Sequence, residues 1–352
     1  MLVTVSTILD IPDNVRRFVA DNLAMGVDHM VVFLDDPSAR DQDLVAEELS
    51  QHPHVTCVPA GGEWWAGSRP AGLNVRQRIN VNLALELLAD MEWAQWVFHV
   101  DGDEVVALDR EVLAALPAET DAVWLTPLEC VSRFAATERP TFFKRLLDDG
   151  DLNLLHTLGV VPSPKNAAYF HGHVLGKSGV RPGSGLRLTL HDAVTKAGDR
   201  VPTYKDDRMR VLHYDAVSGE AFVRKWTALL GAGPARFRKD RAPTINALRT
   251  LTAKDIPTPI AEKYLRRIYE ATTEDDVTTL RELGLLEEVD PGSGPHVPRA
   301  LAERDRTTLA ERFASIRTAP KREFHVVQRA RGPAQARRRR RLLGGLRPGA
   351  RA

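Results

Sequence analysis

Asp101, Asp103 and Glu104 crowd three carboxylates into four positions directly behind the apolar run Trp96–Val100. Carboxylates packed this closely repel one another, so the cluster requires a compensating cation or solvent. An apolar run that stops at such a cluster reads as a buried strand ending in a ligand-facing turn, and in open α/β sheets ligands sit beyond the C-terminal ends of the strands. Hard oxygen donors at this spacing suit Mg²⁺ or Mn²⁺, the ions that accompany phosphates. The functional reading is a metal–diphosphate site. The structural alternative is a polar turn bent at Gly102.

The elements that must carry this turn are legible as a β-α alternation. Strand-like runs fall at Leu2–Leu9, Met30–Leu34, Val55–Val58, Trp96–Val100 and Ala122–Leu128. Between them lie helical patterns: one capped by Asp13 with Val15, Phe18, Val19 and Leu23 on one face and ended by Gly26, a short one at 41–51, and a long one from about Asn74 carrying Val75, Ile79, Leu83 and Leu87. A further capped helix spans Asp109–Leu116. The alternation predicts an α/β fold, a mostly parallel sheet flanked by helices. Beyond 140 the pattern changes to short strands at Thr141–Leu146, Ala168–Val174, Leu186–Leu190 and Arg210–Tyr214. Helices are then expected at Ser218–Leu230, Pro259–Ala271, Glu274–Leu283 and Ala300–Ile316, with Thr273 and Asp276 as a capping box. Residues 288–299, with Pro291-Gly292-Ser293-Gly294-Pro295, read as a linker, so 300–352 is expected to be an appendage.

Composition narrows the classes. With 352 residues, 43% of them hydrophobic, the chain can build a sizeable core. No apolar run spans a bilayer and no signal-type segment opens the sequence, so the expected location is the cytoplasm. Cys57 and Cys130 read as small buried hydrophobes of a reducing compartment. The net charge of +1 hides an asymmetry: residues 329–352 hold nine arginines and no acid, leaving 39 basic against 47 acidic residues elsewhere. Such a tail could contact an anionic membrane face, and specific nucleic-acid recognition is not expected of it.

Four segments in this order resemble bacterial glycosyltransferases of the family 2-like type, in particular the branch related to family 92. They are Val3–Asp36 with its terminal Asp35-Asp36; Arg76-Gln77-Arg78-Ile79-Asn80-Val81-Asn82 leading to Asp101-Gly102-Asp103-Glu104; Gly176-Lys177 through Pro182 with His191-Asp192; and Leu212-His213-Tyr214 followed by Glu220-Ala221-Phe222 and Lys225. The resemblance implies a GT-A (Rossmann-like) glycosyltransferase domain over 1–230 (halves 1–128 and 129–230), followed by a helical extension over 231–328 and a disordered Arg-rich tail over 329–352. It also implies metal-dependent, inverting transfer of a sugar from a nucleotide-sugar donor to a glycan or lipid-linked acceptor, in cell-surface glycan or polysaccharide synthesis. In that pattern Asp101 and Asp103 serve a Mn²⁺ or Mg²⁺ ion on the donor diphosphate, with His191 and His213 completing its surroundings. Asp35 and Asp36 lie toward the nucleoside, and Asp10 is expected to do polar work in donor binding. Two stretches depart from the pattern: Asp10-Ile11-Pro12-Asp13 replaces an Asn-Glu pair, and Glu129-Cys130-Val131-Ser132-Arg133-Phe134 replaces an aromatic-Gly stretch.

The residue types assign further roles. Asp103 is preferred for direct ligation and Asp101 for ribose or a metal-bound water, while Glu104 would turn back to hold a basic group. Arg78 and Lys177 are expected to neutralise diphosphate. Arg76, roughly 200° away from Arg78 around the helix, is assigned to a solvated face. Asp192, Glu129 and Asp215 are the candidate bases, with Asp192 preferred. Trp64 and Trp65 either stack on a ligand or anchor their loop. His171 and His173 would share one side of a strand, and His99 reads as a core residue. Competing classes are a nucleotidyl or phosphoryl transferase, for which no Gly-rich phosphate loop is present, and a nucleic-acid-binding protein acting through the tail.

Overall fold

The computed structural model describes residues 1–231 and 242–329. Its strands in chain order are β1 (Leu2–Ile8), β2 (His29–Leu34), β3 (Val55–Pro59), β4 (Trp96–His99), β5 (Glu104–Ala107), β6 (Ala122–Cys130), β7 (Phe142–Lys144), β8 (Lys177–Val180), β9 (Arg187–Leu188), β10 (Ala193–Val194), β11 (Tyr204–His213) and β12 (Leu286–Glu288). The helices are α1 (Pro12–Ala24), α2 (Gln42–Gln51), α3 (Leu73–Leu87), α4 (Arg110–Ala115), α5 (Asp149–Thr157), α6 (Asn166–Tyr169), α7 (Gly219–Gly231), α8 (Ala242–Thr252), α9 (Thr258–Thr272), α10 (Val277–Glu282) and α11 (Glu303–Ser315).

Among the described residues ten strands form one sheet in the order β12-β7-β6-β8-β4-β1-β2-β3, with β11 joining β6 to β5. β1 pairs in parallel with β2 and β4, and β2 with β3. β5, β7 and β8 run against this direction. The result is a mixed α/β fold with a mostly parallel sheet flanked by helices, compatible with a Rossmann-like arrangement. β1 and β2 are buried along their whole length, which is why they read as unbroken apolar runs rather than alternating ones. One apolar cluster joins α1, α2 and α4 to the sheet; another joins α3 and α11 to its other face. None of the described helices is long and apolar enough to cross a membrane.

Several local expectations are corrected. α1 begins at Pro12 with Ile11 as N-cap and no side-chain cap; Asp13 sits in the first turn and pairs with Arg16. Asp276, and not Thr273, caps α10, accepting from the Thr279 backbone N–H. The span 168–174 is not a strand. It begins in α6, and its next amides donate to the Glu129 carboxylate instead of a neighbouring strand. α5, unforeseen, is capped by Asp148, which accepts from the Asp151 N–H.

The region expected as a helical extension is bound into the body. β12 adds to the sheet edge at β7. Asp28, fully buried, accepts from His296 (3.1 Å) and from the Arg299 backbone as well as from Leu2 and Arg110. Asp275 reaches Lys144 at 2.9 Å. Apart from Arg329, the arginine-rich tail lies outside the described residues.

Candidate active site

The acidic turn joins β4 to β5. Val100 still donates to Val5 of β1 (3.1 Å), so the chain leaves the sheet at Asp101. Gly102 sits where a Cβ would press on Ile8 at 3.0 Å. Glu104 folds back to accept from the Asp101 N–H (2.9 Å), closing the turn on itself. The turn opens into a cavity of about 690 Å³ that is also lined by Asp10 behind β1, by Gln77 of α3, and by His173, His191, His213 and Asp215.

The charges of the turn divide into two groups. Asp101 and Glu104 share Lys177, which is completely buried on β8 and lies 2.6 and 3.0 Å from their carboxylates. Burial opposes the Lys177 charge, but the two acids outweigh it and raise its proton affinity. Gln77 donates to the other Asp101 oxygen at 2.6 Å. Both oxygens of Asp101 are therefore taken by protein donors. Burial raises Glu104 against the pull of Lys177, and its Oε1 has no hydrogen-bond partner.

Asp103 faces the cavity with 40% of its side chain exposed. Lys225 of α7 lies 3.2 Å away and also contacts Asp215, while His213 Nε2 lies at 3.5 Å. Burial favours neutral Asp103, yet Lys225 and His213 hold it well below the usual carboxylate range. Burial likewise works against a charged His213, but Asp103 above all, with Glu129, lifts it to about 10. His213 is an imidazolium held between two carboxylates. His173 stacks on it at 4.9 Å and meets His191 edge-on at 4.5 Å. Burial lowers His173 to about 4 and His191 to about 2, so both are neutral. His191 Nδ1 is within reach of the Gly176 carbonyl, 3.1 Å away.

Among the described residues two groups of side chains have the reach to hold a metal: Asp101, Glu104 and His173, and Asp103, His213 and Asp215. The first fits poorly, because the buried Lys177 ammonium already occupies the space between its carboxylates. The second fits. Both groups line the cavity, but the cation of the second, Lys225, is 27% exposed on a long flexible stem and can swing aside. His213 would have to give up its proton to ligate. Asp103 and His213 of the expected metal set belong to this group. Asp101 is bound by lysine and glutamine, and His191 stands against His173.

Other candidates separate as well. Asp35 is buried and held by a two-point ion pair with Arg76 (both 2.6 Å) and by Arg69 (3.1 Å); it does not line the cavity. Arg76 is thus a buried structural cation rather than part of a solvated face. Arg78, expected on diphosphate, is absent from the cavity lining, and its Nε is buried without a partner. Asp36 accepts from the Ser38 amide and hydroxyl. Asp192, the preferred base, pairs with Arg200 at 2.8 Å and lies off the cavity, although its neighbour His191 lines it. Of the three base candidates Asp215 alone lines the cavity. Trp64 and Trp65 are buried anchors, bonded through their ring N–H groups to Asn80 and to the Ala60 carbonyl. His99 is a core residue, lowered by burial to about 4.

Glu129 is enclosed rather than reactive. It accepts from the backbone N–H groups of His171 (2.6 Å) and Gly172 (2.5 Å) and pairs with fully buried Lys144 (3.0 Å), which also binds Asp275 and the Tyr169 carbonyl. This network fixes the loop that presents His173. Gly172 is required there, since a Cβ would stand 2.3 Å from the His213 ring and 2.7 Å from the Glu129 carboxylate. Gly172→Ala is therefore expected to displace the stacked histidines and to cost about 1–3 kcal/mol through overpacking. A lowered Tm with shifted histidine ring NMR resonances is the expected result; unchanged resonances would disprove the contact. Sequence reasoning missed Gln77, Gly172 and Lys144, whose types carry no signal apart from their partners.

No protein-family model and no curated protein matches the chain. Among solved structures it is similar to HddC from Yersinia pseudotuberculosis at 10% sequence identity, over 63% of this chain and 96% of that one, with a TM-score of 0.29.

Proposed function

We propose that the chain is a metal-dependent glycosyltransferase of the GT-A type, moving a sugar from a nucleotide diphosphate donor to an acceptor hydroxyl. The observation that carries the reading is the meeting of Asp103, in the turn behind β4, with His213 and Asp215, at the end of β11, inside a cavity large enough for a nucleotide sugar. In such a transfer the bond from the anomeric carbon to the diphosphate breaks and the acceptor oxygen takes its place. The diphosphate leaves with the electron pair and the acceptor proton passes to a base. Asp103, Asp215 and deprotonated His213 would hold Mn²⁺ or Mg²⁺, which supplies Lewis-acid stabilisation of the leaving diphosphate. Lys225, displaced from these carboxylates, would face the departing phosphates. Asp101 stays with Lys177 and Gln77, which fixes the turn that aims Asp103. In this reading the site serves a glycan or lipid-linked acceptor in surface-polysaccharide synthesis at the inner membrane face, with the arginine-rich tail touching anionic lipid.

A thermal-shift panel of UDP, GDP, ADP and CDP, each with and without Mn²⁺, tests the reading. A ligand at 100 times its Kd stabilises the folded state by about 2.7 kcal/mol. One nucleotide is expected to raise Tm, more strongly with Mn²⁺ than without. If none does so under either condition, the reading is wrong.

A further inference from the structure

The cavity lining is uneven in charge. From α3 and the segment before β10 it receives Leu73, Asn74, Gln77 and Leu190, all uncharged. From α1, the loop behind β6 and α7 it receives Arg17, Arg139, Arg224 and Lys225. Lys225 is committed to Asp103 and Asp215. The three guanidinium groups are not needed by the acidic turn, which Lys177 and Lys225 already compensate.

Each arginine is poised differently. Arg139 is fixed, paired with buried Asp21 and laid over the Tyr214 ring at 3.6 Å. Burial lowers its proton affinity, and Arg17 adds to the effect, so these two like charges share one corner of the site. Arg17 has no hydrogen-bond or ion-pair partner among the described residues. Among the described residues Arg224 pairs with Glu220, at 3.6 Å, and that glutamate side chain is 88% exposed and strongly screened. Among these residues Arg17 has no carboxylate of its own, and Arg139 and Arg224 have one each, in Asp21 and Glu220; a guanidinium with N–H donors to spare can receive a doubly charged oxyanion, because it offers a planar pair of them.

We propose that the acceptor handled at this site carries a phosphate group, which Arg17, Arg139 and Arg224 hold where α1 and α7 border the cavity. The proposal deepens the glycosyl-transfer reading and rests on it. The donor diphosphate is placed at Asp103, Asp215 and His213, so the arginines are left to bind a second anion.

Calorimetric titrations of wild type and of an Arg17→Ala/Arg224→Ala double variant test this. Arg139 is left in place because its removal would strand buried Asp21. The probes are glucose 6-phosphate, glucuronate, glucose, and UDP, GDP, ADP and CDP with Mn²⁺. Wild type is expected to bind glucose 6-phosphate and not glucose, with the double variant weaker by about 30–100-fold for the phosphate and by less than about threefold for the nucleotide. Equal wild-type affinity for glucuronate would overturn the phosphate assignment in favour of a carboxylate. A parallel loss of nucleotide binding in the variant would overturn it by returning the arginines to the donor diphosphate. Absence of glucose 6-phosphate binding to wild type would end the proposal. Phosphate binding that depends on the arginines, in a wild type that binds none of the nucleotides, would instead remove the transfer reading and leave the phosphate subsite standing.

Discussion

Asp103→Asn is expected to reduce metal-dependent transfer by roughly 10²–10³-fold, the scale on which loss of one preorganised electrostatic group slows a charge-developing step. The substitution keeps the side-chain shape but removes the charge that, with Asp215, would hold the cation. The fold should survive, because the side chain is 40% exposed and Lys225 retains Asp215 as its partner. The informative comparison is Asp101→Asn. Its carboxylate is already bound by Lys177 and Gln77, so its loss acts through the geometry of the turn. Mn²⁺-dependent nucleotide stabilisation should vanish in the Asp103 variant and weaken in the Asp101 variant. The reverse order would exchange their roles, and a fully active Asp103→Asn protein would sink the site assignment.

Lys177→Met is expected to have the largest effect on stability. The ammonium is completely buried between Asp101 and Glu104, and breaking a buried ion pair by removing one partner costs about 3–5 kcal/mol, since the remaining charge is left uncompensated. Glu104, already raised by burial, would take up a proton and limit the damage. The expected fall in Tm is on the order of 5–10 °C. The double variant Lys177→Met/Glu104→Gln should recover part of it, because the second change removes the stranded charge. A single variant as stable as wild type, or a double variant worse than additive, would show that Lys177 does not hold the turn together.

The α/β class was readable because β1, β2 and β4 are buried on both faces and the helices between them carry one apolar stripe each. The acidic turn was readable because three carboxylates in four positions repel one another and need compensation. Around it, neither arginine of α3 lines the cavity: Arg76 is buried against Asp35, and Arg78 stands off it. Helical spacing showed that the two must diverge, but the direction of the cavity from α3 is a property of the packed sheet. The preferred base lies off the cavity for a similar reason. Asp192 and His191 are neighbours in sequence, yet only the histidine lines the cavity, because the aspartate turns to Arg200.

Local sequence thus determined the strand order of burial, the turn at Gly102 and the presence of three acids that need cations, since apolar periodicity and charge crowding are short-range properties. Tertiary structure alone decided which cations answer them. Lys177 and Lys225 come from positions 76 and 122 residues away from Asp101 and Asp103 respectively. Glu129 is closed off by amides 42 and 43 residues distant. Pairing of buried charges depends on separations of a few ångströms, and only the folded chain sets those. The carboxylates that looked alike in the sequence part there into Asp101 and Glu104, closed around a lysine, and Asp103, open to the cavity.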